Sequence, residues 1–339
     1  MRTVSITCVK NEADIVEPFV RHTACCVDHV VVLDNGSTDE TVDVLNALRE
    51  EGLDVEVVHD ASHGHWQWRR MTRLMHEYAL GKYRADWIVP VDVDEFLVTD
   101  NDEPLPRLLQ DRDSLVGVGW KTYVPDIEDD PSVSGHANPV TRIRKRLKEE
   151  AHPWRKVIVP SNLVLGGNAR LTQGNHAVDI DGETRHGSDL QSVHLAHFPV
   201  RGVEQYASKV AIKHLQYLAM SERGESWGFH YRKSYQLLMR DRRAFDDACR
   251  EAAIYFAVQD PSTFQPELVV DPIPYRGGEL KYTCGQAQEN RALRNILSYG
   301  EMLAADFAES ERACRKSEKR ISDLVTENER LKDKLVEAE

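Results

Sequence analysis

Over the first hundred residues apolar and polar blocks alternate, and their spacing predicts strands and helices in turn. Thr3–Val9 reads as a strand, Ala13–Cys25 as a helix, and His29–Leu33 as a near-continuous apolar strand. Ser37-x-x-Glu40 has the form of a capping box opening a helix that runs to about Glu51. Val55–Val58 is a third strand, Trp66–Leu80 a helix, and Trp87–Val91 a fourth strand. Such repetition predicts an α/β fold whose mostly parallel sheet is covered on both faces and binds ligands at the carboxyl ends of its strands. Lys10-Asn11-Glu12, Asp34-Asn35, His59-Asp60 and Asp92–Glu95 all fall at such ends.

Beyond residue 100 the pattern changes. Leu115–Tyr123, Val140–Arg146 and Lys156–Val164 are short β-rich pieces separated by Pro, Gly and acidic loops, with a candidate mobile loop from Asp126 to Pro139. Gly202–Phe256 reads helical. From Gly285 to Glu339 the chain has no proline and one further glycine, Gly300, which predicts a long charged helix. The expected segments are therefore 1–100, 101–215, 216–284 and 285–339.

Charge narrows the class. Across 339 residues, 43 basic against 56 acidic side chains give −13, which argues against nucleic acid as a partner. A phosphorylated small molecule stays compatible, because a local metal or arginine inverts the field. The six cysteines show no Cys-x-x-Cys and no metal-finger spacing, the usage expected of reduced thiols in a cytoplasmic protein. Met1–Ile6 enters a strand pattern directly, so no signal peptide is expected, and no apolar run approaches the ~18–20 residues of a membrane span.

The richest stretch is Asp86-Trp87-Ile88-Val89-Pro90-Val91-Asp92-Val93-Asp94-Glu95-Phe96, an apolar strand ending in three carboxylates. Strand alternation puts Asp92 and Asp94 on one face and Glu95 on the other. Two carboxylates on one face call for a cation between them. Mg²⁺ or Mn²⁺, which keep phosphate oxygens as further ligands, are the usual answer. A solvated acidic strand end is the plainer reading of this motif alone.

Three motifs together resemble the family 2-type, GT-A-fold glycosyltransferases: Cys8-Val9-Lys10-Asn11-Glu12, Leu33-Asp34-Asn35-Gly36-Ser37-Thr38-Asp39, and Asp92-Val93-Asp94-Glu95-Phe96. His194-Leu195-Ala196-His197-Phe198-Pro199-Val200-Arg201 is similar to the segment that closes the site in the Lys-Asn-Glu subgroup. The resemblance covers roughly residues 1–215. It implies a nucleotide-sugar-binding half (1–100), an acceptor-side half (101–215), a nucleoside diphosphate sugar donor and an unidentified acceptor.

The resemblance also implies roles. Asp94 would bind the metal, Asp92 the ribose or the metal, and His197 would be a further metal ligand. Val9, Asn11, Glu12, Asp34 and Asn35 would hold base and ribose. Relatives often carry two acids where this chain has Asp34-Asn35, which leaves the base open. Arg69 or Arg70 would reach the diphosphate, although the same arginines suit a basic surface face pairing with Glu77.

If the segment around His197 is extended, His194 and His197 face opposite sides. His59, His63 and His65 read as a polar loop at the pocket's edge, with zinc as a lesser option. An inverting transfer needs a base. His176, Asp179 and Asp181 are the first candidates and Glu128 and Asp129 the second, each equally at home in a surface turn.

In the tail, Ile321 and Asn328 take a positions and Leu324 and Leu331 d positions, with Glu327–Lys332 and Lys334–Glu339 as g–e pairs. That pattern predicts a parallel homodimeric coiled coil. The rival enzyme, a nucleotidylyltransferase, needs a glycine-rich loop after strand one, and Val9–Ala13 holds no glycine. A non-catalytic scaffold dimerising through its tail is the rival of another class.

Overall fold

Why the first hundred residues fold as a doubly covered sheet is visible on β2 (His29–Asp34), which follows β1 (Thr3–Val9). Val30 and Val32 pack into one apolar cluster with Phe19, Leu45 and Leu48, whereas Val31 and Leu33 pack into a second with Met71, Leu74 and Met75. The period of two sends neighbouring residues into opposite cores, so the run must be apolar throughout. β3 (Val55–His59) and β4 (Trp87–Pro90) complete a parallel array in the order β3-β2-β1-β4.

The computed structural model describes the chain except residues 63, 110–112, 127, 128, 130–137, 167, 221–227, 257, 259–261, 263, 284–290 and 337–339. The remaining strands are β5 (Glu95–Thr99), β6 (Val116–Thr122), β7 (Lys145–Leu147), β8 (Arg155–Pro160), β9 (Arg170–Leu171), β10 (Val178–Ile180), β11 (Glu183–Arg185), β12 (Ser188–His197) and β13 (Leu268–Val270). The parallel array continues as β8-β6-β12-β5, giving a mixed eight-stranded sheet. β8 is antiparallel to both β4 and β6, β12 is parallel to β6, and β5 is antiparallel to β12. This register places His197 opposite Glu95 on one side and Thr122 on the other. A segment a hundred residues downstream is thereby set beside the Asp-x-Asp turn.

Local departures from the sequence expectations have local causes. The capping box does not form: the helix is Thr41–Glu50, and Asp39 Oδ1 accepts the Thr41 N–H at 3.0 Å. Ser37 is engaged elsewhere, its hydroxyl accepting the Asn11 N–H at 2.9 Å. The third helix covers Gln67–Arg73 and continues in wide π-type turns over Leu74–Lys82. Within the expected strand Val140–Arg146, Asn138-Pro139 instead starts a single helical turn (Pro139–Arg142), because the Asn138 side chain accepts the Val140 N–H. The largest correction is at Asp92–Glu95. β4 stops at Pro90 and Asp92–Asp94 form a turn, so strand alternation does not govern their directions.

The chain forms two compact units, Met1–Asn295 and Ile296–Glu339. The first holds the sheet and three helices after it, Val203–Leu218, Phe229–Arg240 and Arg242–Ile254. The described part of the second belongs to the helix Arg291–Val336, on which Phe307, Ile321, Leu324 and Val325 are exposed. The side chains of Asn328, Leu331, Lys332, Lys334 and Leu335 lie outside the described ones. Among the described residues no helix is long and apolar enough to cross a membrane, and Cys8, Cys25, Cys26 and Cys314 are free thiols.

Candidate active site

A cleft of about 610 Å³ opens where the strands β1, β2 and β4 end, the position that α/β topology favours for ligands. The first loop contributes Val9, Lys10 and Glu12, the second strand end Asn35, and the acidic turn Asp92, Val93 and Asp94. Gln67 and Arg70 enter from the third helix, Trp120 and Lys156 from the strands beyond, Trp154 from just before β8, and His176 and His197 from further on. The helix Val203–Leu218 closes the cleft with Lys209, Lys213 and Gln216.

Each aspartate of the turn carries its own ammonium. Asp92 accepts from Lys156 Nζ and from Gln67 Nε2, both at 2.6 Å. Asp94 accepts from Lys209 Nζ at 2.6 Å and lies 4.0 Å from Arg201. Burial alone would raise the Asp94 carboxyl, but Lys209, His197 and Arg201 outweigh it and hold the group ionised well below the usual carboxylate range.

Glu95 turns into the protein, accepting the Trp120 indole N–H at 2.7 Å and the Asp92 N–H at 2.8 Å. Burial pushes its carboxyl up to about 8, against the pull of Lys156. Lys156 itself is buried, yet Asp92 and Glu95 overcome that burial and keep it charged.

Arg201 ties the first loop to this turn. Fully buried, it donates to Glu12 Oε2 at 2.5 Å, to Asp14 at 2.7 and 3.0 Å, and to the Phe198 carbonyl at 3.3 Å. Such a buried guanidinium is tolerable only because carboxylates and carbonyls saturate it. Burial acts to raise the Asp14 carboxyl, but Arg201 overrides it and draws the group down to about 2.

The expected donor-site residues divide. Val9, Glu12, Asn35, Arg70 and Asp92 line the cleft, whereas Asp34, Asn11 and Arg69 do not. Asp34 accepts the Gly36 and Ser37 N–H groups at 3.1 and 3.0 Å, and Asn11 Oδ1 accepts the Thr38 N–H at 2.7 Å, so both shape the loops. Arg70 is buried, donating to the Ser62 carbonyl at 2.6 Å, while Arg69 stacks over Trp66 and Trp68. The basic face that pairs with Glu77 is supplied by Arg73 instead. Asn35 spends its amide on the Asp60 and Ser62 carbonyls and its carbonyl on Gln216, whose own Oε1 is buried without a partner.

Among the described base candidates only His176 reaches the cleft. The preceding Gly174 (φ +77°) permits this, since a Cβ there would lie 2.6 Å from His176 Nε2. Asp179 on β10 is held by Thr184 and Arg170, and Asp181 sits in the following tight turn. Asp129 accepts the Asp126 N–H, and Glu128 lies outside the described residues. His59 is exposed beside Asp34, His65 lines the cleft, and His63 lies outside the described residues.

His197 lines the cleft and His194 does not. The His197 ring stacks on Trp120 at 4.3 Å, burial drives its pKa down to about 3, and its Nδ1 is buried without a hydrogen-bond partner. Among the described residues no three His, Cys, Asp or Glu side chains gather as a metal cage. A nucleotide-bound Mn²⁺ or Mg²⁺ needs only one or two carboxylates, the rest being phosphate and water oxygens. An ionised Asp94, the orphaned His197 nitrogen and Asp92 fit that mode of binding.

Sequence reading assigned nothing to Lys156, Lys209, Lys213, Gln216 or Trp120. Arg201 closes the quoted His194–Arg201 block, but its spacing alone gave it no task. Lys209, Lys213 and Gln216 recur at four and three residues, a signal indistinguishable from a solvated helix face until the cleft is seen.

Residues 5–160 match the model of glycosyl transferase family 2. The match spans a little under half of the chain and includes the first loop, the acidic turn and Lys156, and the sheet has the GT-A arrangement. Among solved structures the chain is similar to S. aureus TarS 1–349 in complex with UDP (12% identity, 72% of this chain and 73% of that one, TM-score 0.36). It is also similar to the Pyrobaculum calidifontis mannosyltransferase PcManGT in complex with GDP-Man and Mn²⁺ (16%, 76% and 76%, 0.35). A third is glucosyl-3-phosphoglycerate synthase from Mycobacterium tuberculosis in complex with Mn²⁺, UDP and glucosyl-3-phosphoglycerate (19%, 48% and 58%, 0.26). No curated protein matches the chain.

His194, off the cleft, gives a stability prediction. Burial, then Lys121, lowers its pKa from 6.5 to about 4. The unfolded chain therefore binds the proton more readily between those values. The stability contributed is present above pH 6.5 and is lost as pH falls toward 4. The full swing is on the order of 3 kcal/mol. Denaturant titrations should show His194→Gln gaining about that much relative to the parent between pH 7 and pH 4; a constant difference would mean that the imidazole is not buried neutral.

Proposed function

We propose that the protein is a metal-dependent glycosyltransferase that moves a hexosyl group from a nucleoside diphosphate sugar to an acceptor hydroxyl with inversion. The observation that carries this reading is the Asp92/Asp94 turn facing Lys10, Arg70, Lys156, Lys209 and Lys213 across one cleft. In a chain of net charge −13, that concentration of cations suits a multiply charged anion. The match of residues 5–160 to glycosyl transferase family 2 supports the same assignment.

Asn35 and Gln216 would meet the nucleoside, with Gln216 Oε1 as an acceptor waiting for a donor. Asp94, His197 and Asp92 would hold Mn²⁺ or Mg²⁺, which supplies Lewis-acid neutralisation of the departing diphosphate. Arg201 keeps the first loop and Asp94 in fixed relation, so the site is preorganised before substrate arrives. His176 donates Nδ1–H to the Arg155 carbonyl at 2.7 Å, which leaves Nε2 as the basic nitrogen. Burial, reinforced by Lys156, draws its pKa down to about 4 and keeps it neutral.

As the anomeric C–O bond to the phosphate breaks, its electron pair leaves with the diphosphate. The acceptor oxygen bonds to the anomeric carbon, and its proton passes to Nε2. Thermal-shift screening of UDP-, GDP- and dTDP-sugars with and without Mn²⁺ tests the reading. Metal-dependent stabilisation by one donor set is expected, and no shift with any of them would overturn it.

The exposed apolar positions of the tail suit a parallel pair of helices, and the free thiols of Cys8, Cys25, Cys26 and Cys314 suit a reducing compartment. The g–e charge pairs expected from the sequence would contribute roughly 0.3–0.5 kcal/mol each, so a leucine seam would have to supply most of the association. A chain ended at Leu297 should scatter light as a smaller particle while still binding nucleotide. An unchanged particle size would place the contact on the first unit.

A further inference from the structure

The helix Val203–Leu218 lies wholly beyond the segment that matches the family, yet it supplies the cleft with two ammonium groups. Lys209 and Lys213 are four residues apart, so they stand one above the other on the same helix face. Their surroundings differ. Lys209 Nζ is saturated by Asp94 at 2.6 Å and the Pro199 carbonyl at 3.2 Å. Lys213 Nζ has only His65 Nδ1, at 3.4 Å, and no carboxylate partner among the described residues. Burial and the neighbouring Lys209 both disfavour its charge. A cation set in a cleft, next to a second cation and without an anion of its own, is left over from the protein's internal pairing.

Building on the glycosyltransferase reading, we infer that Lys213, with Lys209 one turn before it, is the protein's own clamp for the donor's diphosphate. Lys213 supplies the unneutralised charge. Lys209 would act as the exchangeable counter-ion of Asp94: with that carboxylate engaged by a divalent ion, its ammonium would be free to reach the phosphates. The cationic helix and the acidic turn would thus bind the diphosphate from the same cleft. The charge needed to bind it comes partly from the chain and only partly from the metal.

Calorimetric titration of the full chain with UDP, GDP, dTDP, ADP and CDP, in Mn²⁺ and in chelator, finds the diphosphate that binds. The same titration is then repeated with Lys213→Met, Lys213→Arg and Lys209→Met, and the matching nucleoside is followed by ligand-observed NMR. Lys213→Met should weaken the diphosphate about ten- to hundredfold, in chelator as well as in Mn²⁺, and leave the nucleoside unchanged. Lys213→Arg should recover most of the loss. Lys209→Met should weaken the diphosphate and, by freeing Asp94, tighten Mn²⁺ binding measured alone.

Lys213→Met binding the diphosphate as the parent does, or losing nucleoside and diphosphate in equal measure, overturns the clamp while the glycosyltransferase reading stands. A parent that binds none of the five diphosphates overturns that reading itself, and the clamp with it. Among the described residues Lys213 has no ion pair to lose, so its replacement does not endanger the fold.

Discussion

Asp94→Asn should lower sugar transfer on the order of 10³-fold while the protein remains folded. The magnitude follows from the charge that must be neutralised as a diphosphate departs, several kcal/mol of which a metal on this carboxylate supplies. Asn keeps the volume and one carbonyl oxygen, but it removes the negative charge that burial would otherwise expel and that Lys209, His197 and Arg201 hold in place. Those three lose some complementarity, though Glu12 and Asp14 still satisfy Arg201. The melting temperature of the variant, compared with the parent, separates a folding defect from a chemical one.

The decisive measurement pairs turnover with calorimetry of the bound nucleoside diphosphate in Mn²⁺ and in chelator. The parent should bind more tightly with metal, and the variant equally in both. A parent indifferent to chelator would show that Asp92 and Asp94 serve Lys156 and Lys209 alone, and that the metal assignment is wrong.

How far this site could be read from the chain depends on how local each cause is. β2 is a continuous apolar run and β1 alternates Val4 and Ile6 with the small hydroxyl residues Thr3, Ser5 and Thr7, so both positions follow from local composition. The three loop motifs fall at strand ends for the same reason. What the sequence concealed is set by long-range pairing. Whether Asp92 and Asp94 share a direction depends on where β4 stops, and Pro90 ends it before the alternation argument can apply.

The resemblance implied a ligand role for Asp34 and Asn11 because both belong to its motifs, whereas their side chains accept backbone N–H groups of the second loop. Lys156 and the Arg201–Lys209 stretch come from separate segments and meet only once the chain is folded. No periodicity in their own neighbourhoods marks them as anything but ordinary basic residues. The separation of His197 from His194 was legible, since it needs only an extended segment, and β12 supplies one.

His176→Gln should lower turnover on the order of 10²–10⁴-fold with donor affinity preserved, whereas Asp179→Asn and Asp181→Asn should have little effect. The contrast rests on position. All three belong to one short stretch rich in ionisable groups, but only His176 lines the cleft, with its Nδ1–H committed to the Arg155 carbonyl. Asp179 faces Thr184 and Arg170 on the small sheet, where no reacting hydroxyl can approach it through the cleft.

Glutamine retains polarity and approximate size at position 176 but has no basic nitrogen, so a loss confined to the chemical step identifies proton transfer. A packing defect would instead disturb donor binding or thermal stability, because the ring also contacts Trp154 and Trp120. NMR of the product's anomeric centre completes the test. Inversion together with the expected loss supports His176 as the base. Inversion with a mild effect places the base on another residue, and retention of configuration removes the need for one altogether.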